Sequence, residues 1–247
     1  MKVIGIVQAR MGSSRLYGKI LYPLARLPLL YVLAKRLESA EVEEWWLATT
    51  DRKEDDLTAN WGRSLGWNVY RGSAQDVLSR FTFIIREKRP DYVVRITADD
   101  PFTDGHVVNL MMEQLSLMTD NQKILITGTT DKLPLGYAPS IVLAESLIDI
   151  ETRIPEDQTY HRTHVTSWLT THHMSREFES PKVWPARPAW RWTVDTDDDA
   201  RMANHAFKMF EDRGETITYP EMVSILDSHP EITGINTHIK QKEIEEG

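Results

Sequence analysis

Val7-Gln8-Ala9-Arg10-Met11-Gly12-Ser13-Ser14-Arg15-Leu16-Tyr17-Gly18-Lys19-Ile20 follows a short apolar run, Val3 to Val7, that has the form of a buried strand. The loop carries three cations, two glycines and two serines ahead of a helical stretch. Glycine lets a backbone approach an anion and Arg and Lys neutralise it, so this is the composition of a polyphosphate cradle. Neither common nucleotide motif is present. A P-loop has four residues between its glycines and Ser or Thr after its Lys. Here five residues separate Gly12 from Gly18, Ile20 follows Lys19, and Gly-x-Gly-x-x-Gly is absent. On composition alone, an irregular surface turn with solvated charges is the simpler account.

Outward from this loop, strand-like and helix-like stretches alternate. Leu29, Leu30, Leu33 and Leu37 predict a helix over 28–39, and Trp45 to Thr49 a second strand. A helix over 54–65 ends at Gly66, and Trp67 to Tyr70 is a third strand. Val77, Leu78, Phe81, Ile84 and Ile85 mark a helix closed before Pro90. Tyr92 to Thr97 is a fourth strand, Val108 to Leu115 a helix and Ile124 to Ile126 a fifth strand. Such alternation predicts an α/β fold with a mainly parallel sheet covered on both faces. Residues 128–141 read as a loop or extended arm and 143–150 as a short helix. A longer helix is expected over 159–172, strands over 178–184 and 191–194, and helices over 198–213 and 220–227.

The chain has 247 residues and 41% hydrophobic content, enough for one large α/β domain with a real core. Its formal net charge of −8 argues against a general nucleic-acid binder, so an anionic ligand needs a local basic pocket. The absence of Cys excludes a disulfide framework, thiolate zinc sites and a thiol nucleophile. No apolar run reaches membrane-spanning length, and Met1 to Gly5 enters a strand without a signal-peptide pattern. A soluble cytoplasmic protein with no membrane partner is expected.

Two further segments carry chemistry. Arg95-Ile96-Thr97-Ala98-Asp99-Asp100-Pro101 places carboxylates where the fourth strand ends, and Arg191-Trp192-Thr193-Val194-Asp195-Thr196-Asp197 has the same form. Ligands of open α/β sheets bind beyond the carboxyl ends of strands. Mg²⁺ is often held by one or two carboxylates with phosphates and water completing its shell. Asp99 and Asp195 could supply that pair; capping of loops and helices explains them equally well on these grounds.

Taken together, these segments resemble the cytidylyltransferase family that includes spore coat polysaccharide biosynthesis protein F. The relatives of that family synthesise CMP-activated acid sugars such as ketodeoxyoctulosonate and sialic acid. Matching stretches are Gln8 to Leu16 with Gly18-Lys19, Ala48-Thr49-Thr50-Asp51, and Arg71-Gly72-Ser73 with Asp76-Val77-Leu78. They continue through Arg95-Ile96-Thr97 with Asp99 and Pro101, His164-Val165-Thr166, and Arg191 to Thr196. The resemblance implies a Rossmann-like, glycosyltransferase-A-like nucleotidyltransferase fold: one domain with a mixed, mainly parallel central sheet flanked by helices, and a small arm over 128–190 on the acceptor and dimer side. It implies CTP, a small-molecule acceptor and Mg²⁺ as reaction partners, with pyrophosphate released, and a homodimer. Ala9, Arg10, Gly12, Ser13, Arg15 and Lys19 would hold the triphosphate. Thr50, Asp51, Arg71, Gly72, Ser73 and Asp76 would line the base and ribose pocket, with Arg80, Arg95 and Thr97 as further contacts. Asp99 and Asp195 would hold the metal and, with Arg10 and Lys19, form the catalytic set. Tyr137, His161, Arg162, His164 and Arg191 are the candidates for the acceptor.

The chain departs from the family pattern at Tyr17, where Pro is usual, at Ala98 for Gly, and at Asp100 for Cys or Glu. Gly136-Tyr137-Ala138-Pro139-Ser140 lacks both acids of the Gly-x-Asp-x-Glu found in the spore-coat branch. A different acceptor is therefore expected. Use of another nucleoside triphosphate with a sugar phosphate, or a non-catalytic nucleotide-binding subunit, remain the alternatives at this point.

Overall fold

In the computed structural model, which describes residues 1–119, 123–128, 131–210, 214 and 216–240, a seven-stranded sheet forms the middle layer. In its interior lies β1 (Val3–Gln8), paired in parallel with β4 (Trp45–Thr50) on one side and with the middle strand, β6 (Tyr92–Thr97), on the other. A short hairpin, β2 (Pro23–Leu24) and β3 (Leu27–Pro28), lies apart from the sheet. Beyond β4 the parallel strand β5 (Asn68–Gly72) forms one edge. Beyond β6 comes β8 (Ser140–Leu143), antiparallel to both β6 and β7 (Leu125–Thr127), and β9 (Arg176–Glu177) forms the other edge.

Strand β1 is buried on both faces, which is why it reads as a continuous apolar run rather than an alternating one. Val3 and Val7 join one core layer, and Ile4 and Ile6 join the other, as the two-residue period of a strand requires. The first layer is covered by α1 (Leu29–Arg36), α4 (Gly105–Leu117), α8 (Asp197–Met209) and α9 (Tyr219–Asp227). The second is covered by α3 (Val77–Lys88) and α5 (Ala144–Arg153), with α7 (Ser167–Thr171) beside them. Helix α2 (Asp56–Ser64) crosses from β4 to β5. The remaining single turns are α6 (Thr159–Thr163) and α10 (Pro230–Thr233). The mixed, mainly parallel sheet flanked by helices is the expected architecture.

Differences from the sequence reading concentrate after Thr127. Ser140–Leu143, expected to be the end of a loop and the first residue of a helix, enters the sheet between β6 and β7. Its apolar run is too short to announce a strand; two neighbours supply the ladder. The helix expected over 159–172 is broken into α6 and α7, with Val165 in the left-handed region at φ 48° between them. Such a φ is costly for a β-branched residue and ends a helix. Over 178–184 only the preceding pair, Arg176–Glu177, is strand. Residues 191–194 form no ladder; Trp192 and Thr193 donate instead to the Leu135 carbonyl, at 2.8 and 3.2 Å.

Candidate functional site

The cationic loop folds back on itself. The N–H groups of Ser13 and Gly18 both donate to the Met11 carbonyl at 2.9 Å, and the Met11 N–H donates to Asp55 at 2.7 Å. Gly18 sits at φ 69°, a conformation that glycine adopts without strain, and opens the single turn Lys19–Leu21. Lys19 is thereby turned inward. On the neighbouring strand, the Ala98 N–H donates to the Gln8 carbonyl at 3.0 Å, so the end of β6 stays beside the end of β1. The Val194 N–H donates to the Asp99 carbonyl at 2.8 Å, which brings the remote segment carrying Asp195 to the same place.

These contacts assemble one ion cluster. The Lys19 ammonium bonds Asp99 Oδ2, and Asp195 Oδ1 at 2.8 Å. Arg15 reaches Asp195 Oδ1 at 3.0 Å, and Arg191 reaches Asp195 Oδ2 at 2.7 Å. Burial favours a neutral lysine, but the two carboxylates outweigh it and hold the Lys19 ammonium above its ordinary pKa. Burial likewise opposes ionisation of Asp195, and Lys19, Arg15 and Arg191 reverse the balance, holding it below the usual carboxylate range.

Two cavities meet at this cluster. The first, of about 240 Å³, is walled by Ala9, Arg10, Ser13, Arg15, Lys19 and Arg80, and by Arg95, Thr97, Asp99, His164 and Asp195. Five cations and two carboxylates face it, an excess of three positive charges in a chain of net charge −8. Arg80 is 2% exposed, and no hydrogen-bond partner reaches its Nε. Burial, then the Arg10 charge beside it, lower its pKa to about 10. A buried guanidinium next to other cations is costly unless an anion completes the site.

The second cavity, of about 500 Å³, shares Arg15, Arg95, Thr97, Asp99, His164 and Asp195 with the first. Its far wall is Leu133 to Gly136, Ala138, Pro139 and Pro188 and carries no charge. Asp100 opens onto this cavity. Burial and then the charge of Asp99 push it up to about 7, against bonds from Thr97 and Thr193. Burial, and then Arg95, lower the pKa of His164, favouring its neutral form.

Several expected contacts lie elsewhere. Tyr137 is fully buried, packed 4.7 Å from the Tyr219 ring, with its hydroxyl donating to Asp104 at 3.1 Å. The turn at Gly136, φ 88°, sends the ring into the core and leaves only the flanking backbone and Ala138 at the cavity. Arg191 is buried behind Asp195 and cannot reach an acceptor. Arg162 is held by Asp76 at 2.6 Å and by the Ile154 carbonyl at 2.8 Å; Asp76 also caps α3. His161 bonds Ser167 Oγ at 2.8 Å, away from both cavities. Arg71 ties β5 to the Thr50 and Arg52 carbonyls and to Asp56. Thr50 is buried against Asp55. Gly12, Asp51, Gly72 and Ser73 are also outside the walls of both cavities. Gln8, Ser14 and Thr163 face the first cavity and Thr193 the second, unassigned by sequence reasoning. For Gln8 the signal was its place as the last residue of a strand.

The donor set suits a hard cation. Asp99 Oδ2 and Asp195 Oδ1 already converge on one ammonium, at the edge of the cationic cavity. Two carboxylates completed by phosphate and water are what Mg²⁺ takes. Among the described residues no group of three or more His, Cys, Asp or Glu is arranged to hold a metal.

A family model described as cytidylyltransferase matches residues 4–223. The chain is 30% identical over 237 residues to spore coat polysaccharide biosynthesis protein SpsF of Bacillus subtilis, covering 93% of this chain and 95% of that protein. A cytidylyltransferase structure from Leptospira borgpetersenii superposes with a TM-score of 0.86 at 24% identity, covering 98% of this chain and all (100%) of that one. The CTP complex of CMP:2-keto-3-deoxy-manno-octonic acid synthetase superposes with a TM-score of 0.60 at 17% identity, covering 84% and 99%. The last two are likenesses of fold.

Proposed function

The chain belongs to the cytidylyltransferase family, and from that premise we propose that it transfers CMP from CTP to a sugar or acid-sugar acceptor for glycan or surface-polysaccharide synthesis. The excess positive charge of the first cavity carries this reading, because a bound polyanion such as a triphosphate balances it. The triphosphate occupies that cavity, against Arg10, Arg15, Lys19 and Arg80. The acceptor occupies the second, so the seam between them is where the two substrates meet.

An acceptor oxygen attacks the α-phosphorus in line. The new O–P bond forms as the bond from the α-phosphorus to the α,β-bridging oxygen breaks; pyrophosphate leaves with that oxygen, and the proton of the acceptor hydroxyl passes to solvent. Such a step is accelerated mainly by positioning and by charge placed where the transition state needs it. Arg10 and Lys19 offset charge on the transferred and departing phosphates. Asp99 and Asp195 would hold Mg²⁺, which when bound supplies Lewis-acid polarisation of the α-phosphoryl group. With nucleotide bound, Lys19 is then free to turn from the two carboxylates to the phosphates.

Pyrophosphate release with CTP, Mg²⁺ and a panel of sugar and acid-sugar acceptors tests the proposal. CTP alone among the four nucleoside triphosphates should support turnover. Thermal stabilisation by CTP without pyrophosphate release from any acceptor would instead identify a binding subunit.

A further inference from the structure

Asp199 does more than close a helix. In the capping box at the start of α8, its Oδ2 accepts from the N–H of Thr196 at 3.0 Å while Thr196 Oγ1 accepts from the Asp199 N–H at 3.2 Å. One carboxylate oxygen completes that motif. The other oxygen, Oδ1, accepts from Arg191 Nε at 2.9 Å and from Asn236 Nδ2 at 2.9 Å. Asn236 Nδ2 also donates to the Arg191 carbonyl at 2.9 Å. Arg191 then reaches Asp195 Oδ2 at 2.7 Å, and the Asp195 N–H returns to Asp199 Oδ2 at 3.1 Å. Asp199 is fully buried, and Asn236 and Arg191 nearly so.

The result is asymmetric. Asp195 Oδ2 is occupied from behind by a pinned guanidinium, whereas Oδ1 faces the seam, where Lys19 and Arg15 meet it. A carboxylate held by one oxygen cannot turn to offer both. The bonds to Arg191 and Asn236 are surplus to helix capping, and Asn236 reaches back from beyond α10 to make its share.

We propose that Asp199 and Asn236 are positioning residues that, by pinning Arg191, fix Asp195 to present a single oxygen to the cation bound with the nucleotide. This rests on the reading of Asp195 as a cation ligand. Groups that orient a metal ligand through a hydrogen bond typically change metal affinity or activity by about 10–100-fold when removed.

The test is a Mn²⁺ titration of the full-length chain with CTP present, read by water-proton relaxation, which reports metal held on the protein rather than on free nucleotide. Turnover with Mg²⁺ and thermal unfolding are measured alongside. Asp199→Asn keeps an oxygen for the cap but aims an amide at Arg191 and Asn236; Asn236→Ala leaves the cap intact. Both should weaken Mn²⁺ by about 10–100-fold and lower kcat in step, with the KM for CTP unchanged. Thr218→Ala removes the remote capping box of α9, where Thr218 bonds Glu221 at 2.7 Å, and serves as the control for destabilisation alone. It should lower the unfolding temperature and leave Mn²⁺ affinity as it was. Wild-type Mn²⁺ affinity in Asn236→Ala, or an equal loss in Thr218→Ala, overturns the positioning role even should Asp199→Asn not fold. Wild-type affinity in Asp195→Asn overturns the ligand reading beneath it, a separate result.

Discussion

The two cavities share one ion cluster but are built by opposite means. The first is made of charge: five cations, three from the segment after β1, one from within β6 and one from α3, converge on a small volume. The second is made of shape: an uncharged wall of leucine, proline and alanine backs away from the same carboxylates. Charge recognises a class of ligand, here a polyphosphate, with little regard for its outline. An apolar wall recognises outline and discriminates by small steric and hydrogen-bonding differences. Of the departure at Gly136 to Ser140, every residue but the buried Tyr137 lines the second cavity and none lines the first, so under the proposed function it bears on acceptor choice and not on the nucleotide.

The sharpest way to break this division is at the seam. Asp99→Asn and Asp195→Asn should each lower kcat by about 10³-fold or more with every acceptor, because the lost charge is needed whatever is transferred to. Pyrophosphate release measures it; loss confined to some acceptors would assign the carboxylates to the second cavity instead. Lys19→Met should cost about 10²–10³-fold in kcat, again uniformly across acceptors, as removal of one preorganised cation or donor does elsewhere.

A smaller effect belongs to the wall. The double variant Ala138→Asp with Ser140→Glu restores the acids of the spore-coat branch. It should reorder acceptor preference by about 10–200-fold in kcat/KM while the KM for CTP stays put. No change in acceptor order would remove this wall from the specificity argument.

The smallest effect is one of stability and sharpens the electrostatic contrast. Asp100 faces the second cavity at about 7 in the folded chain, against an ordinary value near 3.8. Between those values the native state holds a proton that the unfolded chain has released. Stability therefore falls as pH rises from 3.8 to about 7 and levels off above it. Asp195 has the opposite sign: its depressed pKa contributes stability above the ordinary carboxylate range that is lost as the solution is made more acid. Asp100→Asn should flatten the decline towards pH 7 by a few degrees in Tm, measured by thermal unfolding without nucleotide or divalent cation. An unaltered slope would mean that Asp100 is ionised throughout.

Much of the lining of the cationic cavity was legible in the sequence. Arg10, Ser13, Arg15 and Lys19 are near one another in sequence, and the end of a parallel strand dictates where such a loop must lie. Asp99 follows a strand of the same sheet and was legible for the same reason. The acceptor half was not. His164 alone of its five candidates faces a cavity; Tyr137, Arg162 and Arg191 have the chemistry of ligand contacts and spend it on Asp104, Asp76, Asp195 and Asp199. Nothing in the residue type distinguishes an arginine that meets a substrate from one that meets a buried aspartate, whether that aspartate is 86 residues away, as for Arg162, or four, as for Arg191.

By itself, then, the order of residues determined the layered sheet, the cationic cradle and the presence of two acids at chain turns, because periodicity and strand ends are properties of neighbours. Which face Tyr137 takes, which oxygen of Asp195 is left open and what Arg80 lacks were decided only by tertiary packing. Those outcomes depend on hydrogen bonds and buried charges, some between near neighbours such as Arg191 and Asp195 and others between remote segments such as those of Lys19 and Asp195. For Tyr137 the direction is set by the backbone turn at Gly136, φ 88°.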